Sequence, residues 1–166
     1  MKQKRHQARI ITLQGLYQID MQRLALDMDP TPLLAPLMDE AALDDESRQF
    51  VRERTAGAWA GHARYDEMIA AAADHWDVSR MAVVDRNILR LAIYELIERP
   101  DVPARVVMDE AIELGREFGA AETPQFINGV LDAVWRREPA CKVARGARES
   151  ATPGARGPAE EEHGTL

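Results

Sequence analysis

The sequence predicts an all-α protein: two small packed helical bundles built from about six or seven helices. Three observations carry this expectation. Ala, Leu, Glu, Asp and Arg dominate, aromatics are only 5%, and few stretches pair β-branched residues with period-two alternation, a mix that favours helix over sheet. Apolar residues recur three and four apart along most of the chain, the spacing that gathers them on one helical face. Prolines and glycines punctuate these stretches where helices would start and stop. The 166 residues, 46% hydrophobic, supply one domain's worth of core, which two small bundles can share.

Ile10, Leu13, Leu16, Tyr17 and Met21 predict a first helix over about 5–22. Asp29-Pro30-Thr31-Pro32 then reads as a loop, and Leu33, Leu34, Leu37 and Met38 as a short helix bounded by Pro36 and Asp39-Glu40. Asp44 or Asp45 can cap a long helical region in which Phe50, Val51, Ala58, Trp59, His62, Tyr65, Met68, Ile69, Ala72 and Trp76 recur at helical spacing. Gly57 and Gly61 are its break points, so one bent helix or two are expected. After Ser79, Val84, Ile88, Leu91 and Glu95 share one stripe, with Leu89, Ile93 and Leu96 on the next. So wide an apolar face predicts a central, mostly buried helix, ending near Arg99-Pro100. Pro103 restarts the chain, Val107, Ala111, Leu114 and Phe118 form the next stripe, and Gly119 is expected as a left-handed cap. Thr123-Pro124 opens the last helix, carrying Ile127, Val130, Leu131, Val134 and Trp135. The periodicity then stops. A helical domain over 1–138 is expected, divided into subdomains of about 1–78 and 79–138, with a disordered tail over 139–166.

The net charge of −7 looks wrong for a nucleic-acid binder until it is divided along the chain. Residues 1–19 carry Lys2, Lys4, Arg5 and Arg9 with no acid; the tail after residue 138 sums to zero, leaving −11 in between. In a helix, Lys2, Arg5 and Arg9 fall on one side and Ile10, Leu13 and Tyr17 on another, so the charge is expected to face solvent while the helix is anchored. Such a patch neutralises phosphates, but reading RNA sequence needs bases splayed onto aromatic or amide side chains. Gln125 and Phe126 are candidates for that second element, although a lone Phe more commonly belongs to a core.

Nothing in the pattern points to catalysis. His62 and His75 have no carboxylate at companion spacing for a metal. Asp109, Glu110 and Glu113 are expected on a solvated acidic face rather than as an acid/base pair. Gly115, Gly119 and Gly129 follow no strand and make no phosphate loop. Cys141 is the single cysteine, which excludes an intramolecular disulfide. With no signal peptide and no apolar run of roughly 18 residues, a soluble cytoplasmic protein without metal or cofactor is expected.

The order of segments is itself distinctive: Ala8-Arg9, Leu13-Gln14-Gly15-Leu16-Tyr17, Asp85 to Leu96 (DRNILRLAIYEL), Arg99-Pro100-Asp101-Val102-Pro103, Asp109 to Leu114 and Phe126 to Asp132. Over about residues 4–137 it resembles the NusB family of bacterial transcription antitermination proteins. The resemblance implies two helical subdomains packed face to face and a non-enzymatic factor. It further implies pairing with NusE, the ribosomal protein that doubles as a Nus factor, and joint binding of the single-stranded boxA element of ribosomal RNA leaders. That assembly would join elongating RNA polymerase and suppress termination. It implies an RNA surface made of Lys4, Arg5 and Arg9 with Glu122, Gln125 and Phe126, and a NusE surface including Tyr17 and Asp85. The unpartnered protein would be a monomer or a homodimer. His6 and Gln7 stand where the family usually has arginines, and Thr123-Pro124-Gln125 where it usually has Ser-His-Lys. Fewer cations imply weaker RNA binding by this chain alone and greater reliance on NusE.

Overall fold

The computed structural model describes residues 2–23 and 27–151. Among them lie eight α-helices and one short 3-10 turn, with no strand: α1 (Lys2–Gln22), α2 (Thr31–Glu40), α3 (Asp45–Ala60), α4 (His62–Ala72), α5 (Val83–Glu98), α6 (Ala104–Phe118), α7 (Thr123–Arg137) and α8 (Pro139–Ala151), the turn being Val78–Arg80. The long region after Asp44 is two helices that meet at Gly61. Asp44 caps the first, its Oδ1 accepting from the Ser47 backbone N–H at 2.8 Å. Pro36 lies inside α2 rather than bounding it. Gly119 does end α6, but with extended backbone (φ −93°, ψ −175°) instead of the expected left-handed cap. Glycine is required there for space, because an added Cβ would meet the Thr123 side chain at 2.5 Å.

Helix α5 is the hub, packing against α1, α3, α4, α6, α7 and α8. Every residue from Asn87 to Leu96 is buried. Its Ile88, Leu89, Leu91, Ile93 and Leu96 lie in the largest core cluster, each worth about 1.5–3 kcal/mol of burial. A second, smaller cluster of Ala8, Ile11, Leu34, Met38, Phe50 and Val51 holds α1, α2 and α3 together. Helix α4 packs chiefly on α5 and α7 and only lightly on α3. By packing, α4 therefore sits with the C-terminal helices more than with α3.

The seam between α1 and α5 is ionic. Asp20 accepts from Arg86 at 2.7 and 2.8 Å, from Asn87 at 2.9 Å and from Arg90 at 2.9 Å. Burial alone would raise the Asp20 pKa, but these donors hold it below its ordinary value. Arg90 turns its other edge to Asp66, with two contacts of 2.7 Å.

The first thirteen residues of the expected disordered tail are instead helix α8, which packs on α5 and α7. Small side chains do the packing: Cys141 and Ala144 are buried. Arg148 then reaches the end of α5, donating to the carbonyls of Leu96 (2.6 Å), Glu95 (3.2 Å), Arg99 (3.2 Å) and Val102 (3.1 Å). A guanidinium carries enough N–H groups to serve several carbonyls at once. Residues 152–166 lie outside the described residues.

Candidate nucleic-acid and partner interface

Burial of Ala8, Ile11, Leu13, Leu16 and Ile19 fixes the rotation of α1. Its N-terminal cations are thereby aimed at neighbouring acids. Lys4 Nζ lies 2.8 Å from Asp44 Oδ2, and Arg5 Nη2 lies 2.7 Å from Glu46 Oε1. Both pairs are solvent-exposed, where an ion pair contributes little and exchanges readily. The bond with Lys4 pulls the Asp44 carboxyl well below the carboxylate range.

His6 points the other way, toward α6. Its Nδ1 is 2.7 Å from Glu110 Oε2 and its Nε2 is 2.6 Å from Glu117 Oε1. An ionised carboxylate only accepts, so both bonds can form only if both ring nitrogens carry protons. Partial burial opposes the charge, but the two carboxylates outweigh it and raise the His6 pKa above 6.5. When protonated, His6 is thus matched by two carboxylates. Glu110, expected on a solvated face, is buried beneath it.

Arg9 departs from expectation most. It is only 3% exposed, and its Nε and Nη2 grip Glu95 of α5 at 3.0 and 2.9 Å. Arg54 Nε approaches the same carboxylate at 3.3 Å. The guanidiniums of Arg5, Arg9 and Arg54 surround the Phe50 ring, 4.8, 5.2 and 3.8 Å from its centroid, a cation–π arrangement. Arg9 is therefore a cross-link between bundles and not a surface cation, because the apolar rotation of α1 turns residue 9 inward along with Ala8.

At the start of α7, Glu122 and Gln125 are exposed and Phe126 is partly buried against the core. The Phe126 ring meets Trp76 edge-on, with centroids 6.1 Å apart and planes at 62°. Buried Thr123 donates its hydroxyl to Asp85 Oδ1 at 3.1 Å and accepts from the Ala120 N–H at 3.0 Å. Partial burial pushes the Asp85 carboxyl up, and the Thr123 bond opposes it. Asp85 thus abuts the start of α7. Among the described residues, no hydrogen bond or ion pair joins this end to the cations of α1.

Tyr17 is 41% exposed and lines a groove of about 450 Å³ with Leu13, Leu37, Val84 and Phe118. Phe118, expected as a buried stripe residue, is as exposed as Tyr17. Of the expected residues, Lys4, Arg5, Tyr17, Glu122 and Gln125 are on the surface, Asp85 and Phe126 are half-buried, and Arg9 is internal. Glu95 was absent from the expected site, although its place on the Val84-Ile88-Leu91 stripe signals a buried charge. Among the described residues, no group of His, Cys, Asp and Glu could hold a metal ion, and no helix is long and apolar enough to cross a membrane.

Fold and site together define an all-α double bundle with charged residues on exposed faces and along the seam between α1 and α5. The family model described as "NusB family" matches residues 6–136. The chain belongs to the NusB family. It is 42% identical over 138 residues to the transcription antitermination protein NusB of Geotalea uraniireducens, covering 78% of this chain and 92% of that one. With the NusB of Symbiobacterium thermophilum it shares 38% identity over 154 residues, covering 88% and 96%. The solved structure of T. maritima NusB overlays with a TM-score of 0.74 at 32% identity, covering 86% and 96%. A structure of NusB and NusE in complex with double-stranded RNA shares the fold, with a TM-score of 0.71 at 23% identity, covering 82% and 98%. Helix α8 follows the range that the family model matches.

Proposed function

We propose that this protein is a transcription antitermination factor that binds the boxA element of ribosomal RNA leader transcripts together with NusE. The pair would then act on RNA polymerase to suppress termination. The protein works by binding, with no catalytic step. Membership of the NusB family, at 42% identity to a protein named for transcription antitermination, carries the reading. The geometry supports a division of labour. Lys4 and Arg5 exchange their exposed carboxylate partners for RNA phosphates at little cost. Glu122, Gln125 and Phe126 offer the polar and aromatic groups that unpaired bases need. Arg9 contributes by positioning, holding the start of α1 on α5. The groove beside Tyr17, lined by Val84 and Phe118 and with Asp85 next in sequence, takes NusE.

A narrower reading, a protein-binding adaptor that pairs with NusE but has little RNA affinity of its own, is favoured by one observation. Lys4, Arg5 and His6 already face carboxylates. Fluorescence anisotropy with boxA RNA and a scrambled RNA, with and without NusE, at two salt concentrations separates the two. A preference for boxA that appears only with NusE supports the adaptor form. If the complex shows no preference in any arm, RNA recognition is wrong for this chain.

A further inference from the structure

We propose that Trp76 is a stacking platform for one unpaired nucleobase, extending the RNA surface beyond the start of α7; this rests on the RNA-binding reading above. Helical spacing places Trp76 on the apolar stripe of the region before it, yet α4 ends at Ala72 and Trp76 is 55% exposed. Two consecutive residues produce this. Asp74 and His75 adopt φ of 54° and 62°, a left-handed backbone that costs energy in any residue but glycine. The His75 N–H closes back on the Ala70 carbonyl at 2.6 Å and the Trp76 N–H on that of Ala73 at 3.1 Å. Just beyond, Asp77 Oδ1 accepts from the Ser79 N–H at 2.9 Å and hydroxyl at 2.6 Å. The indole is thus presented by a loop bonded on both sides, in a conformation that strain would otherwise release.

The edge-on contact with Phe126 covers only part of Trp76, which stays 55% exposed. A base, an apolar partner side chain or a second copy of this chain could cover it. The surroundings favour the base. The sequence neighbours of Trp76 (Asp74, His75, Asp77) and of Phe126 (Glu122, Gln125) are polar and exposed. A protein interface needs a contiguous apolar core, whereas one aromatic face with amide and carboxylate groups nearby suits an unpaired base. Arg80, on the turn that follows, is largely exposed and only 3.8 Å from Asp77, leaving a cation able to meet a phosphate.

The test uses the full chain with NusE and single-stranded boxA RNA. Stacking on one aromatic side chain predicts that W76A weakens binding by about 5- to 150-fold. The logarithmic salt slope should not change, because no phosphate contact is lost. W76F keeps a ring and should retain most of the affinity while abolishing the tryptophan quenching that RNA causes in the wild type. Circular dichroism of W76A should match the wild type. Wild-type affinity in W76A overturns the platform and leaves the RNA-binding reading standing. Loss of NusE binding with RNA affinity intact also overturns it, making the patch a protein contact. A wild type that does not distinguish boxA from scrambled RNA removes the reading on which the platform rests.

Discussion

Replacing Arg9 by alanine removes the guanidinium that closes on both oxygens of Glu95. Both side chains are nearly inaccessible, at 4% and 2% exposure. The remaining partner, Arg54, reaches one oxygen at 3.3 Å, so a buried carboxylate is left with one of its three donor contacts. Breaking a buried pair by removing one member costs about 3–5 kcal/mol. For a domain of this size, each kcal/mol lowers Tm by roughly 2–4 °C, which places R9A roughly 6–20 °C below the wild type. R9K should recover only part of the loss, since an ammonium cannot make the fork. The measurement is urea and thermal unfolding at low and high salt, with boxA anisotropy well below the new Tm. Salt screens a buried pair weakly, so the stability difference should persist, and the salt slope of RNA binding should match the wild type. An R9A protein of wild-type stability that loses one phosphate's worth of salt slope would refute the positioning role and return Arg9 to the RNA surface.

R5A should show the opposite signature: a wild-type unfolding midpoint, with the RNA salt slope reduced by about 0.7, the value for one contact to a single strand; an unchanged slope would remove Arg5 from the interface. The His6 clamp should make stability pH-dependent. A pKa raised in the folded state stabilises fully below the unfolded value of 6.5 and loses that contribution as pH rises through the folded value. The urea midpoint of wild type minus that of H6N should therefore shrink between pH 6 and pH 9, and a constant difference would show that the clamp does not titrate over that range. Burial pushes the Cys141 thiol up to about 11, so Ellman's reagent at pH 8 should leave it unmodified in the native protein. R148A, which removes the donors at the end of α5, should speed that reaction by letting α8 lift; rapid labelling of the wild type would mean that α8 is not docked.

Large apolar side chains at helical spacing made α1, α5, α6 and α7 legible in the sequence. Where packing uses other means, the pattern fails. Helix α8 is held by Cys141, Ala144 and an arginine gripping carbonyls, none of which registers as hydrophobic periodicity. Trp76 fits the period of α4 but lies past its end, because the left-handed backbone at 74 and 75 breaks the phase. The site was half visible. Lys4 and Arg5 could be placed from charge alone, whereas Arg9 differs from them only in the rotation of α1. That rotation is set by Ala8 and Ile11, which pack on a cluster assembled from α2 and α3. Likewise, pairing His6 with Glu110 and Glu117 needs α6 beside α1, a tertiary fact that no local window contains.

The charges between α1 and α5 also constrain how the protein can change over time. Arg9 meets Glu95 near one end of the contact, and Asp20 meets Arg86 and Arg90 near the other. The two anchor points on α1 are about 16 Å apart along the axis. An apolar seam would tolerate a helix sliding by a turn with modest repacking, but here a slip would set each charge against a hydrocarbon. The two ends therefore act as a key that admits one register and one direction. A neutral substitution at any one of these positions leaves a buried ion behind, so its effect depends on the partner and is not additive. Lineages carrying this seam are expected to exchange its residues in compensating pairs, and drift on α1 should be readable as drift on α5.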